Sequence, residues 1–241
     1  MGAANLIIDA INKTIKALCG EIQEQAAPDL EWRRLSEDRL WHELAVCMFS
    51  SQMLYETALG AANRVYEQGL LSFNNWLAHG PSYENSLIAA LSEPLSINVH
   101  GVNREARPRF KNRLASLLNR TMSEMNACNI SLHELLDSSL SEHQAREQLM
   151  EQVWGFGPKQ ASLFLRRIGY CTELAVLDTH LLDYLKLALE MDIKPSALSN
   201  LSSYKNMESQ FQTIANDFGY PVGCVDLATW ITMRVAKRDF L

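Results

Sequence analysis

The sequence predicts an all-α fold arranged as two helical lobes. Apolar residues recur at helical spacing through most of the 241 residues. Strand signals are almost absent, and no Asn-Gly or Asp-Gly turn joins two alternating runs. The middle of the chain, about residues 60–180, is expected to form one lobe. The two ends, about 1–60 and 181–241, are expected to form the other.

The elements follow in order. Residues 5–25 read as a first helix. In SEDRLWHELAVCMFSSQMLYETA, Leu40, Trp41, Leu44, Ala45 and Met48 form an apolar stripe, and Ser36 stands ahead of it as N-cap. Residues 82–91, 105–120, 131–137 and 141–153 also read as helices. Another begins near Pro158, whose missing N–H suits a first helical position. Asp178 reads as the N-cap of the next. Met207, Phe211, Ile214, Ala215 and Phe218 mark a helix ending at Gly219, and Pro221 opens the last, over 221–237. Loops are expected near 27–30, 80–82, 100–104, 170–173 and 193–203.

Composition narrows the possible functions. With 47% hydrophobic and 21% charged residues, the chain can bury a substantial core. No apolar run of membrane-spanning length exists, so no membrane partner is expected. The opening MGAANLIIDAINKTIKALCG lacks a basic n-region and is not expected to be a signal peptide. Cys19, Cys47, Cys128, Cys171 and Cys224 are scattered, with no Cys/His cluster, so they read as reduced thiols and no metal is expected. The net charge of -6 argues mildly against a nucleic-acid binder, but its distribution matters more. The stretch NREARPRFKNRLASLLNR carries Arg104, Arg107, Arg109, Lys111, Arg113 and Arg120 against a single acid, Glu105.

Chemistry concentrates in VWGFGPKQASLFLRRIGY, residues 153–170. Gly155 and Gly157 permit positive φ and close backbone approach, and amides at a helix N-terminus favour an anion. A plain turn between two helices would use the same residues. Lys159 is different, because a first-turn lysine opposes the helix dipole. The same dipole disfavours the charged ammonium, and a neutral amine is what nucleophilic chemistry needs. Asp178 follows nineteen positions later, after the apolar run 174–177. It can cap a helix and can also support positive charge developing near the amine.

The segment from Val153 to Leu185 resembles the helix-hairpin-helix DNA glycosylase superfamily. The likeness lies in Gly155-Phe156-Gly157-Pro158-Lys159, Ala161 and Leu177-Asp178-Thr179-His180. CMFSSQMLYE, RPRFKNRLASLL and CVDLATWI extend it to the second, mostly archaeal, type of 8-oxoguanine DNA glycosylase/AP lyase, over about residues 36–237. The chain departs from that type at its C-terminus, KRDFL, where members usually end in a lysine used in base recognition. It also lacks the iron–sulfur cysteines of the endonuclease III branch.

The resemblance implies two lobes with the helix-hairpin-helix motif and an active-site cleft between them. It implies a bifunctional enzyme of base excision repair that flips a damaged base, most simply 8-oxoguanine, out of duplex DNA and excises it. Lys159 would form the Schiff base, Asp178 would support charge and proton transfer, and β-elimination would nick the strand. Gly155, Gly157, Gln52, Arg109, Lys111 and Arg113 would bind DNA, and Phe156, Asp226 and Trp230 would line the base pocket. No cofactor is implied. A monomer is expected, located in the cytoplasm and at the nucleoid in a prokaryote. Two other readings remain open. One is a glycosylase for another damaged or hypermodified base, as in defence against phage DNA. The other is a non-catalytic helix-hairpin-helix DNA-binding module.

Overall fold

A computed structural model describes residues 3–25, 32–51, 53–99, 101–137 and 139–239. The chain divides into two compact units, one of Met1–Leu30 with Gly157–Leu241 and one of Glu31–Phe156. Both divisions fall earlier in the chain than the boundaries near 60 and 180 expected from the sequence. Periodicity marks helices, but it does not say which helices pack on which.

The first helix, α1 (Ala3–Gln25), belongs to the terminal unit. The central unit then runs α2 (Glu37–Phe49), α3 (Tyr55–Glu67), α4 (Phe73–His79), α5 (Tyr83–Ser92), β1 (Leu95–Val99), β2 (Val102–Ala106), α6 (Lys111–Cys128), α7 (Leu132–Leu135) and α8 (Glu142–Gln152). The chain returns to the terminal unit with α9 (Pro158–Arg167), α10 (Thr179–Leu189), α11 (Leu201–Phe218) and α12 (Val222–Asp239).

In the central unit α2 is buried on every side from Leu40 to Phe49, as a central core helix must be. It starts where the sequence places it, with Ser36 Oγ accepting from Arg39 N–H. Its two buried polar residues are paired. His42 Nε2 lies 2.8 Å from Asn63 Oδ1, and Arg39 lies 2.8 Å from the Glu43 carboxylate. α3 packs on α2 and on β1, and α5 packs on α6.

Among the described residues the fold is all-α apart from one hairpin. β1 and β2 pair antiparallel, from Leu95 opposite Ala106 to Val99 opposite Val102. The sequence predicts a helix over 105–120 here, and α6 instead begins at Lys111. The signal for β1 is a short one. Leu95, Ile97 and Val99 alternate with exposed Ser96 and Asn98. β2 lacks such alternation and is exposed along nearly its whole length, so only its partner reveals it. Pro108 disfavours helical geometry at Arg107, and Phe110 takes a left-handed conformation (φ 57°) that delays the start of α6.

The core of the terminal unit brings Ile11, Ile15 and Cys19 of α1 together with Leu181 and Leu185 of α10, Tyr204 and Phe211 of α11, and Val225, Ala228 and Met233 of α12. α11 ends at Gly219 in the left-handed conformation (φ 80°), as the sequence predicts. None of the five cysteines is part of a disulfide.

Candidate active site

The site is built on α9. Ahead of it, Gly155 has φ 82°, a conformation that favours glycine, and a Cβ there would lie 2.8 Å from Leu117 Cδ1. Gly157 differs, because its backbone is extended (φ -110°) and a Cβ there would meet only Gln160 at an ordinary 3.7 Å. Of the two glycines, only Gly155 is therefore demanded by local conformation. Gly157 is the N-cap and provides no side-chain cap, Pro158 takes the first helical position, and half-buried Lys159 follows it. Ser162 and Arg166 stand three and seven residues beyond Lys159, so the three share one face of α9.

The chain then turns at Gly169 (φ 72°) and runs through the buried segment 174–177 to Asp178. A buried extended segment must find partners for its backbone groups. Here side chains of the last two helices supply them. Ala175 N–H donates to Glu208 Oε1 at 3.0 Å, Val176 N–H to Asp226 Oδ2 at 2.5 Å and Leu177 N–H to the Tyr204 hydroxyl at 3.0 Å. That hydroxyl donates in turn to Ala175 O at 2.8 Å. Asp178 closes the run as the N-cap of α10. Its Oδ1 accepts from His180 N–H at 2.8 Å and Leu181 N–H at 3.0 Å.

Asp226 joins this segment to α9. Arg166 Nη1 lies 2.6 Å from Asp226 Oδ2, and Arg166 Nη2 donates to Gly223 O at 2.7 Å. Asp226 is only 4% exposed. Burial pushes its carboxyl up to about 6, and Arg166 and the Val176 amide oppose that rise. Burial likewise pushes the Tyr204 phenol up. His180 is held below the ordinary histidine range, first by burial, with Asp178 pulling the other way. Its ring lies edge-on to Trp230 at a centroid distance of 6.3 Å. Trp230 is half-buried, and the Arg234 guanidinium lies 4.9 Å from its centroid.

In the central unit, Arg109 and Arg113 are exposed, while half-buried Lys111 donates to Ser92 Oγ at 2.7 Å. A cavity of about 500 Å³ opens beside them, lined in part by Ser92, Arg107, Phe110, Lys111, Asn112 and Arg113. Phe110 is 55% exposed despite its size. Phe156 is buried in this unit, and Gln52 lies outside the described residues. Among the described residues, no group of three or more His, Cys, Asp or Glu side chains could hold a metal ion. Among the same residues no helix is long and apolar enough to cross a membrane.

A family model described as 8-oxoguanine DNA glycosylase matches residues 87–220, more than half of the chain. The chain belongs to this 8-oxoguanine DNA glycosylase family. Relatives extend the likeness beyond that match. The 8-oxoguanine DNA glycosylase/AP lyase of Thermoplasma volcanium is 29% identical over 197 residues, which cover 82% of this chain and 81% of the relative. That of Metallosphaera sedula is 41% identical over 96 residues, which cover 39% of this chain and 45% of the relative. Among solved structures, Methanocaldococcus jannaschii 8-oxoguanine DNA glycosylase superimposes with a TM-score of 0.67 at 20% identity, covering 97% of this chain and 94% of that one. At that identity the likeness shows the fold.

The stretch matched to the 8-oxoguanine DNA glycosylase family contains the hairpin, Lys159 and Asp178 and ends at Tyr220. α12, with Asp226 and Trp230, lies beyond it. Three members of the site are invisible to motif reading: Arg166, Tyr204 and Glu208. Arg166 reads as a C-terminal cation complementing the helix dipole. Tyr204 and Glu208 stand four apart on the apolar face of α11, and a charge placed in a buried stripe is the one signal that could have exposed them.

Proposed function

We propose that this chain is a bifunctional DNA N-glycosylase/AP lyase that excises 8-oxoguanine from duplex DNA. One observation carries the reading: Lys159, in the first turn of α9, and Asp178, capping α10, belong to one compact unit whose buried side chains fix the segment between them. The M. jannaschii enzyme has been crystallised with a 15-mer DNA containing 8-oxoguanine (TM-score 0.64, 20% identity), which supports the same substrate here.

A base cannot be excised from within the stack, so it is first flipped out. The Lys159 amine attacks C1′, and the glycosidic bond breaks with its electron pair leaving on the base. The amine then loses a proton, and the C1′–O4′ bond opens with its electron pair and a proton going to O4′, which leaves an imine between Lys159 and C1′. This imine, in its protonated form, acidifies the C2′ proton, whose loss expels the 3′ phosphate. Asp178 supports charge at the sugar and assists proton transfer. The hairpin at Gly155 and Gly157 holds a phosphate, and Arg109, Lys111 and Arg113 contact the backbone. Gln52 fills the vacated stack. Phe156 and Trp230 contact the flipped base. The protein acts as a monomer.

The test is a panel of duplex oligonucleotides, each with one damaged base, incubated with borohydride. Covalent trapping on 8-oxoguanine DNA that disappears in Lys159→Gln is expected. Trapping on another base alone would point to a different damaged or hypermodified substrate. No trapping on any base, with duplex binding retained, would leave a DNA-binding module.

A further inference from the structure

We propose that Asp226 is a positioning residue for the reaction: its bonds to Arg166 and to the Val176 amide register the segment ending at Asp178 against the face of α9 that begins at Lys159. The inference rests on the reading above and moves Asp226 from contact with the base to the scaffold behind the two reacting groups.

The bonds run in parallel order along two elements. On α9, Arg166 lies at the far end of the face that starts with Lys159, and Ser162 lies between them. Arg166 meets Asp226, which holds Val176. Ser162 hydrogen-bonds Tyr204, which holds Leu177. As the links step back along α9 from Arg166 to Ser162, they step forward along the segment from Val176 to Leu177. The next positions in each direction are Lys159 and Asp178. Asp226 and Tyr204 each touch both sides directly, and Asp226 does so through one carboxylate oxygen, shared by Arg166 of α9 and the Val176 amide.

Three details fit a built latch. Asp226 is almost wholly buried, so its charge is worth keeping only where its bonds are made. Gly223 leaves the room that Arg166 needs, since a Cβ there would lie 3.1 Å from Arg166 Nε and 2.9 Å from Thr172 O. Trp230 stands four residues beyond Asp226 on the same face of α12, so the latch also fixes the helix that carries it. The charged and titratable groups facing Asp226 are Arg166 from α9, Asp178 at the start of α10, and Tyr204 from α11, with Glu208 beside Tyr204.

The test measures single-turnover excision on the base the wild type accepts. Asp226→Asn is expected to lower the rate constant roughly 10–100-fold, the scale of a small misplacement of reacting groups. The Kd for the same duplex should stay within about threefold, because no base or phosphate contact is lost. Asp226→Glu, which keeps the charge, should recover part of the rate, and the acidic limb of the wild-type pH–rate profile should be absent in Asp226→Asn. A rate and profile matching wild type, or a loss carried wholly by Kd, overturns the proposal. Should Asp226→Asn fail to fold, Arg166→Lys weakens the latch from its other side, and the same two readouts decide. A wild type inactive on every base would remove the functional reading and this proposal with it. An active wild type with an unaffected Asp226→Asn removes this proposal alone.

Discussion

Arg166 and Asp226 form a buried ion pair at 2.6 Å, and the same carboxylate oxygen accepts the Val176 amide two residues before Asp178. The pair ties the helix bearing the candidate nucleophile to the segment bearing the candidate acid. The predictions below separate what each part of this arrangement does.

Asp178 has two roles that substitution can part. Asn caps a helix about as well as Asp, and Ala removes the cap at about 1 kcal/mol. Asp178→Asn is therefore expected to keep the wild-type melting temperature while losing about 10²–10⁴ in excision rate. Asp178→Ala should lose both. Equal melting temperatures for the two variants would show that the cap bonds to His180 and Leu181 contribute nothing to stability.

The two hairpin glycines should behave differently. Gly155→Ala forces alanine into a left-handed conformation and pushes on Leu117, so denaturant unfolding should show a loss of about 1–2 kcal/mol. Gly157→Ala meets neither obstacle, and its stability should stay within about 0.5 kcal/mol. If the Gly157 backbone approaches a phosphate closely, the second variant loses duplex affinity without losing stability. Equal unfolding free energies for both would contradict the assignment.

Tyr204→Phe removes a hydroxyl that serves Leu177 N–H and Ala175 O, both buried. Leaving such groups unpaired should cost about 1–3 kcal/mol in denaturant unfolding. A neutral substitution would show that this hydroxyl does not hold the segment.

Asp226 makes stability and activity respond oppositely to pH. Its folded-state value, about 6, lies above the ordinary 3.8, so between these values the folded chain binds the proton and the unfolded chain does not. Stability from this group is full below the lower value and is lost as pH rises through about 6, by up to about 3 kcal/mol. Its ion pair with Arg166 needs the ionised form, so excision should rise over the same interval. Unfolding of wild type and Asp226→Asn followed from pH 4 to 7.5 checks the sign: the difference between them should change in this interval and level off above it.

Much was legible in the sequence, because it depends on local rules. The helical class follows from periodicity, and the caps at Ser36, Asp178 and Gly219 from the chemistry of helix ends. Lys159 was conspicuous because a cation in the first turn of a helix runs against the dipole. The tertiary structure decided what depends on partners distant in the chain. β2 is a strand only because β1 lies beside it, and the two units divide where packing, not periodicity, changes. Asp226 shows the limit most clearly. By itself it is one acid on an apolar helix, equally suited to meet a base or to hold a backbone. Its role is set by Arg166 and Val176, and residues sixty and fifty positions away leave no local trace in a sequence.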